Sequence, residues 1–144
     1  MKILVLHGPN LNLLGEREKE YYGSKTLEEI NTALHHCARE KKAELMIYQS
    51  NHEGELIDII HKMRSVVSGI LINPAGFSHT SIALHDALKI FKGPVVEVHL
   101  SQPLKREEFR SPLLTAQACS GLILGFGWRS YVFGLEALIS EIGH

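Results

Sequence analysis

The chain has 144 residues, 44% of them hydrophobic and 22% charged, with a formal net charge of −1. A chain of this length fits one domain, taken here as residues 1–144, able to bury roughly two-thirds of its unfolded surface. The balanced charge argues against capture of nucleic acid or an anionic membrane, and the apolar content argues against disorder.

The run Lys2-Ile-Leu-Val-Leu6 reads as a buried first strand. It stops at His7, too short for a signal-peptide core, and no stretch reaches the ~18 apolar residues of a membrane span, so a cytoplasmic protein is expected. The polar, Gly/Pro-marked segment from Gly8 to Lys25 follows, whereas compact α/β domains usually connect their elements with about 2–6 residues. With two Asn, Arg17 and the pair Tyr21-Tyr22, it reads as a lid or binding loop. A helix begins behind the capping box Thr26-Leu-Glu-Glu29 and carries Leu27, Ile30, Leu34, Cys37 and Ala38 on one face. Glu44–Tyr48 is the second strand. Ser50-Asn-His-Glu53 is a second capping-box candidate, ahead of the stripe Leu56, Ile59, Ile60 and Met63.

Gly69–Asn73 is the third strand, and a helix with Ala83, Leu84, Ala87, Leu88 and Phe91 comes after it. Pro94–His99 and Gly121–Gly125 complete the strands, and a last helix places Tyr131, Leu135, Leu138 and Ile142 on one side. Near-continuous apolar strands suit a parallel sheet covered on both faces. Five such β units with right-handed crossovers give an α/β, three-layer sandwich of flavodoxin-like type, strand order 2-1-3-4-5.

Ligands in such sheets bind beyond the carboxyl ends of the strands, where strand order reverses. Strand 1 ends in His7-Gly-Pro-Asn10, strand 3 in Asn73-Pro-Ala-Gly76 and strand 4 in Glu97-Val-His-Leu-Ser101, so Asn10, Asn73 and His99 should converge on one pocket. His99 is the natural proton handler. Glu97, two residues earlier on the same strand face, can hold its orientation. Arg106 and Arg110, just past strand 4, read either as a solvated turn or as a clamp for an anionic oxygen.

The nine histidines invite a metal reading, which the spacing rejects. His79 and His85 are six apart, which on one helix points them to different faces; His35 and His36 are adjacent and expected in solvent. Cys37 and Cys119 are far apart and read as reduced thiols. In Gly125-Phe-Gly-Trp-Arg-Ser130 the serine breaks the dinucleotide fingerprint, and neither a phosphate loop nor a nucleophile elbow is present.

From end to end the chain resembles the type II 3-dehydroquinate dehydratases (type II dehydroquinases). The matching segments are Gly8-Pro-Asn-Leu-Asn-Leu-Leu-Gly15, Arg17-Glu with Tyr22-Gly23, Gln49–Leu56, Ile72–Ser81, Glu97–Ser101 and Arg106–Arg110. The resemblance implies dehydration of 3-dehydroquinate to 3-dehydroshikimate, in aromatic biosynthesis or quinate breakdown, with neither metal nor organic cofactor. It implies Tyr22 as base, Arg17 as the residue that activates it, His99 as acid, and Asn10 as holder of the water that stabilises an enolate. Substrate contacts carry over to Asn73, His79, Leu100, Ser101 and Arg110. Asp86 would come from a neighbouring subunit, since such proteins assemble as trimers packed into dodecamers. The chemistry is coherent: free tyrosine is only about 0.1% ionised at neutral pH, so a tyrosine base needs a cation nearby. Arg17 lies five residues before Tyr22. The residues alone do not choose between Tyr21 and Tyr22; the resemblance selects Tyr22.

The sequence departs from that family's usual pattern at Lys19, at Gln102–Lys105, across Ser111–Ser120 and at Ser130. None of these removes a residue with an assigned role. The rival reading is a flavodoxin-like receiver or small-anion-binding module without catalysis. A receiver would show an acidic cluster at the ends of strands 1 and 3, where His7, Asn10 and Asn73 stand instead.

Overall fold

The computed structural model describes residues 1–143. Five strands, β1 (Lys2–His7), β2 (Glu44–Gln49), β3 (Gly69–Asn73), β4 (Val95–His99) and β5 (Gly121–Leu124), form one parallel sheet in the order β2-β1-β3-β4-β5. The order and the strand limits match the sequence reading to within a residue at each end. Between the strands run α1 (Lys19–Tyr22), α2 (Leu27–Glu40), α3 (Glu53–Met63), α4 (Ile82–Ile90) and, last, α5 (Arg129–Ile142).

The period of two along each strand divides the core. Ile3 and Val5 of β1, Leu71 of β3 and Val96 and Val98 of β4 face α2 and α5, against Ile30, Leu34, Tyr131, Leu135 and Leu138. Leu4, Leu6, Ile70 and Ile72 face α3 and α4, against Leu56, Ile60, Leu84 and Leu88. Because both faces are buried, β3 and β4 can be apolar throughout except where function intrudes at Asn73, Glu97 and His99. Helix α5 lies tight on the sheet: a Cβ at Gly134 would come within 2.4 Å of the Val98 side chain.

The capping box at Thr26 forms as expected, the Thr26 hydroxyl accepting from Glu29 N and the Glu29 carboxylate accepting from Thr26 N. The one at Ser50 does not. Its hydroxyl accepts from His52 N at 2.9 Å in a local turn, and Glu53 instead takes the hydroxyl hydrogen of Ser81 across to α4. Ala83, expected on the buried stripe of α4, is exposed. His79 and His85 do not share a helix: His79 closes a 3-10 turn, Ala75–His79, while His85 belongs to α4. His35 and His36 lie in solvent. The long segment after β1 is not loose chain; Leu11, Leu14 and Tyr22 bury themselves beside α2 and α5, and two short helical turns, Leu11–Leu13 and α1, span it.

Candidate active site

Register places His7 of β1 opposite Asn73 of β3 at the carboxyl edge of the sheet. The chain leaving β1 presses on the chain leaving β3: Gly8 N donates to Asn73 O at 2.8 Å, and a Cβ on Gly8 would sit 2.5 Å from Pro74 O. Glycine is what permits that approach. Asn10 (φ 69°) and Ala75 (φ 52°) adopt left-handed backbone close by, a strain that local bonds hold in place. Asn51 Oδ1 accepts from Asn10 N at 2.9 Å, and Asn73 Oδ1 accepts from Ala75 N at 3.0 Å. A cleft of about 130 Å³ opens here, close to the ~150 Å³ that holds benzene in an engineered cavity.

On one side of the cleft stands Tyr22, only 8% exposed. Two guanidinium groups donate to its hydroxyl oxygen, Arg17 Nη2 at 3.0 Å and Arg106 Nη1 at 2.7 Å. Arg17 also lies over the Tyr22 ring, 3.9 Å from its centroid, and Arg106 over Tyr21 at 4.0 Å. The two tyrosines therefore divide the work: Tyr22 offers its oxygen to cations in the cleft, and Tyr21 supplies a ring face that steadies one of them. Two charged donors thus converge on one phenolic oxygen.

His99 opens into the same cleft. Its Nε2 lies 2.7 Å from Glu97 Oε2, as the period of two anticipates. Glu97 is wholly buried and satisfied: Ser78 Oγ donates to Oε2 at 2.7 Å and Thr115 Oγ1 donates to Oε1. A carboxylate accepts only, so His99 Nε2 carries a hydrogen and the ring's rotation is set. The His79 ring stacks near that of His99, centroids 6.3 Å apart. His79 Nδ1 donates to Pro112 O at 2.8 Å, and burial is the main cause holding its pKa below the ordinary imidazole value. The neutral ring keeps a lone pair on Nε2.

Of the residues singled out in the sequence, Asn10, Arg17, Tyr22, Asn73, His79, His99, Leu100, Ser101 and Arg110 all line this cleft. Glu97 lies beneath it, behind His99. Asp86 stands apart: its exposed carboxylate pairs with His85 Nδ1 at 2.9 Å on α4. The sequence reading did not assign Arg106 to Tyr22, since only the folded chain brings together residues 84 apart. It also passed over Ser78, Pro112 and Thr115. The last two belong to the stretch set aside as atypical, and they hold His79 and Glu97 in place. Ser130, another departure, is buried and its hydroxyl accepts from Phe126 N at 3.0 Å, securing the turn into α5.

The family model described as "Dehydroquinase class II" matches residues 1–139. The chain belongs to that family. Relatives include the "3-dehydroquinate dehydratase" of Carboxydothermus hydrogenoformans, 58% identical over 142 residues, covering 99% of this chain and 92% of that one. That of Halothermothrix orenii is 51% identical over 141 residues, covering 98% and 95%. Among solved structures, the type II dehydroquinase from Butyrivibrio crossotus superimposes with a TM-score of 0.93 at 41% identity, covering 96% of this chain and 97% of that one.

Proposed function

We propose that this class II dehydroquinase dehydrates 3-dehydroquinate to 3-dehydroshikimate by anti elimination through an enolate. The observation that carries the reading is the Tyr22 oxygen, held by two guanidinium groups and opening into the same cleft as a histidine backed by a buried carboxylate. Tyr22 takes the proton next to the ring ketone, a proton made removable because its electron pair spreads onto the ketone oxygen. Asn10 holds the water that stabilises that oxygen. His99 gives a proton to the departing hydroxyl, which leaves as water, and the electron pair of the enolate closes the new carbon–carbon double bond. Glu97 supports the imidazole while it carries positive charge. Asn73, His79, Leu100, Ser101 and Arg110 contact the substrate, the Nε2 lone pair of His79 accepting from one of its hydroxyl groups.

The chain serves as a single dehydroquinase domain over residues 1–144, in the cytoplasm, needing no metal or organic cofactor. Its assembly is a dodecamer of trimers, in which Asp86 completes a neighbour's site; the exposure of that carboxylate, away from its own cleft, supports this role. A receiver or passive anion-binding module leaves the Arg17–Tyr22–Arg106 cluster without a task. The test is ultraviolet absorbance on mixing with 3-dehydroquinate, because the product is a conjugated enone. Rising absorbance that Tyr22→Phe abolishes supports the reading; no enone from the wild-type protein overturns it.

A further inference from the structure

We infer that a buried chain of hydrogen bonds, Asn31–His7–Tyr131, positions the Asn73 amide in the cleft, so that His7 and Tyr131 are positioning residues for the reaction. The inference rests on the dehydratase reading above and extends it to residues that no assignment so far includes. His7 is unexpected where it is. It lies at the end of β1, fully buried, on the sheet face that α2 and α5 otherwise cover with Ile3, Val5, Leu34 and Leu135. An apolar side chain would fill that position without bringing an ionisable group out of water.

The polarity of the chain follows link by link. Asn31 Oδ1 on α2 lies 2.8 Å from His7 Nε2 and can only accept, so Nε2 carries the hydrogen. Burial holds the His7 pKa at about 4, below the ordinary 6.5, so the ring is neutral and Nδ1 is a bare acceptor. Tyr131 OH on α5, 2.8 Å away and wholly buried, must therefore donate to Nδ1. Its oxygen is left to accept. The register puts Asn73 opposite His7 on the same sheet face, so its side chain lies next to the ring that Tyr131 holds, and it offsets part of the burial that pushes the Tyr131 pKa up. Asn73 Oδ1 is already engaged by Ala75 N at 3.0 Å. With Oδ1 turned to the Ala75 backbone, the NH2 end of Asn73 is left for the cleft that this residue lines. The amide therefore presents an N–H donor to the substrate, which suits a substrate oxygen that accepts at this point.

The experiment is steady-state turnover of 3-dehydroquinate by Tyr131→Phe, His7→Leu, His7→Asn and Asn31→Ala, each also made with Asn73→Ala, with thermal melting recorded for every variant. Tyr131→Phe and His7→Leu should raise KM about tenfold, with kcat changed less than threefold. His7→Asn, which can place an amide oxygen where Nδ1 was, should restore KM to within about threefold of wild type. In the Asn73→Ala background these substitutions should add nothing further, because the residue they act through is gone. Additive losses in that background, or a KM that stays put while melting temperature falls, would make the chain purely structural and overturn the inference. Should the substitutions at Tyr131 and His7 leave the protein unfolded, Asn31→Ala decides alone. It sits at a half-buried helix position and frees the His7 tautomer, so an unchanged KM there overturns the inference. Absence of turnover by the wild-type protein would instead refute the dehydratase reading itself.

Discussion

Replacing Glu97 by glutamine removes a charge and almost nothing else. The carboxylate is 0% exposed and accepts from three nitrogen and oxygen donors, His99 Nε2 and Ser78 Oγ, both at 2.7 Å, and Thr115 Oγ1, with the Cys119 thiol a distant fourth at 4.0 Å. An amide of the same shape can keep its carbonyl toward His99 and Ser78 and turn its NH2 to Thr115, whose hydroxyl rotates to accept. Charge-assisted bonds contribute about 1.5–3 kcal/mol and neutral ones about 0.5–1.5, so weakening three of them costs roughly 3 kcal/mol. Relief from burying a carboxylate offsets part of that loss, leaving a net destabilisation of about 1–2 kcal/mol. Catalysis should suffer more. The imidazole loses its charged support when it carries two protons, and about 2–4 kcal/mol of lost stabilisation lowers kcat roughly 30- to 1,000-fold. Enone absorbance gives kcat, and urea unfolding gives the stability. A Glu97→Gln enzyme within threefold of wild-type kcat would refute the reasoning that the buried carboxylate serves His99. A stability loss matching the activity loss would refute it equally.

Tyr22→Phe keeps the ring packing and removes the oxygen, so kcat should fall by at least the ~10²–10⁴-fold typical of a lost general base, with an unchanged melting temperature; residual turnover within tenfold of wild type would exclude Tyr22 as base. Arg106→Met should lower kcat about 100-fold or more, at least as much as Arg17→Met, because Arg106 makes the shorter bond to the Tyr22 oxygen; a kcat within fivefold of wild type would show that bond to be idle. His7 links stability to acid. Its folded pKa of about 4 lies below the unfolded 6.5, so its contribution is complete above pH 6.5 and disappears as pH falls toward 4. The loss is about 3 kcal/mol over that window, seen in urea titrations at several pH values and missing from His7→Asn; parallel curves for the two proteins would contradict it. Gly8→Ala forces a Cβ to 2.5 Å from Pro74 O. It should destabilise the protein by about 2 kcal/mol and raise KM, as denaturation and kinetics would report; a neutral effect would mean that the two loops separate easily.

Local pattern sufficed for the scaffold. Apolar runs of strand length, helical stripes at Ile30–Leu34 and Leu56–Ile60, and the Thr26 capping box are short-range features, and a doubly covered parallel sheet is the one arrangement that buries them all. That arrangement in turn brings Asn10, Asn73 and His99 to one edge, because strand ends at a reversal of order must meet there. Period two also placed Glu97 beside His99. The residues that set the chemistry's polarity were another matter. The bonds from Arg106 to Tyr22, from Thr115 and Ser78 to Glu97, and from Pro112 to His79 join loops whose spacing carries no periodicity. The choice of Tyr22 over its neighbour depends on which ring the lid turns inward. Periodicity states which face a side chain occupies; what meets it across a loop is decided only when the whole chain has packed.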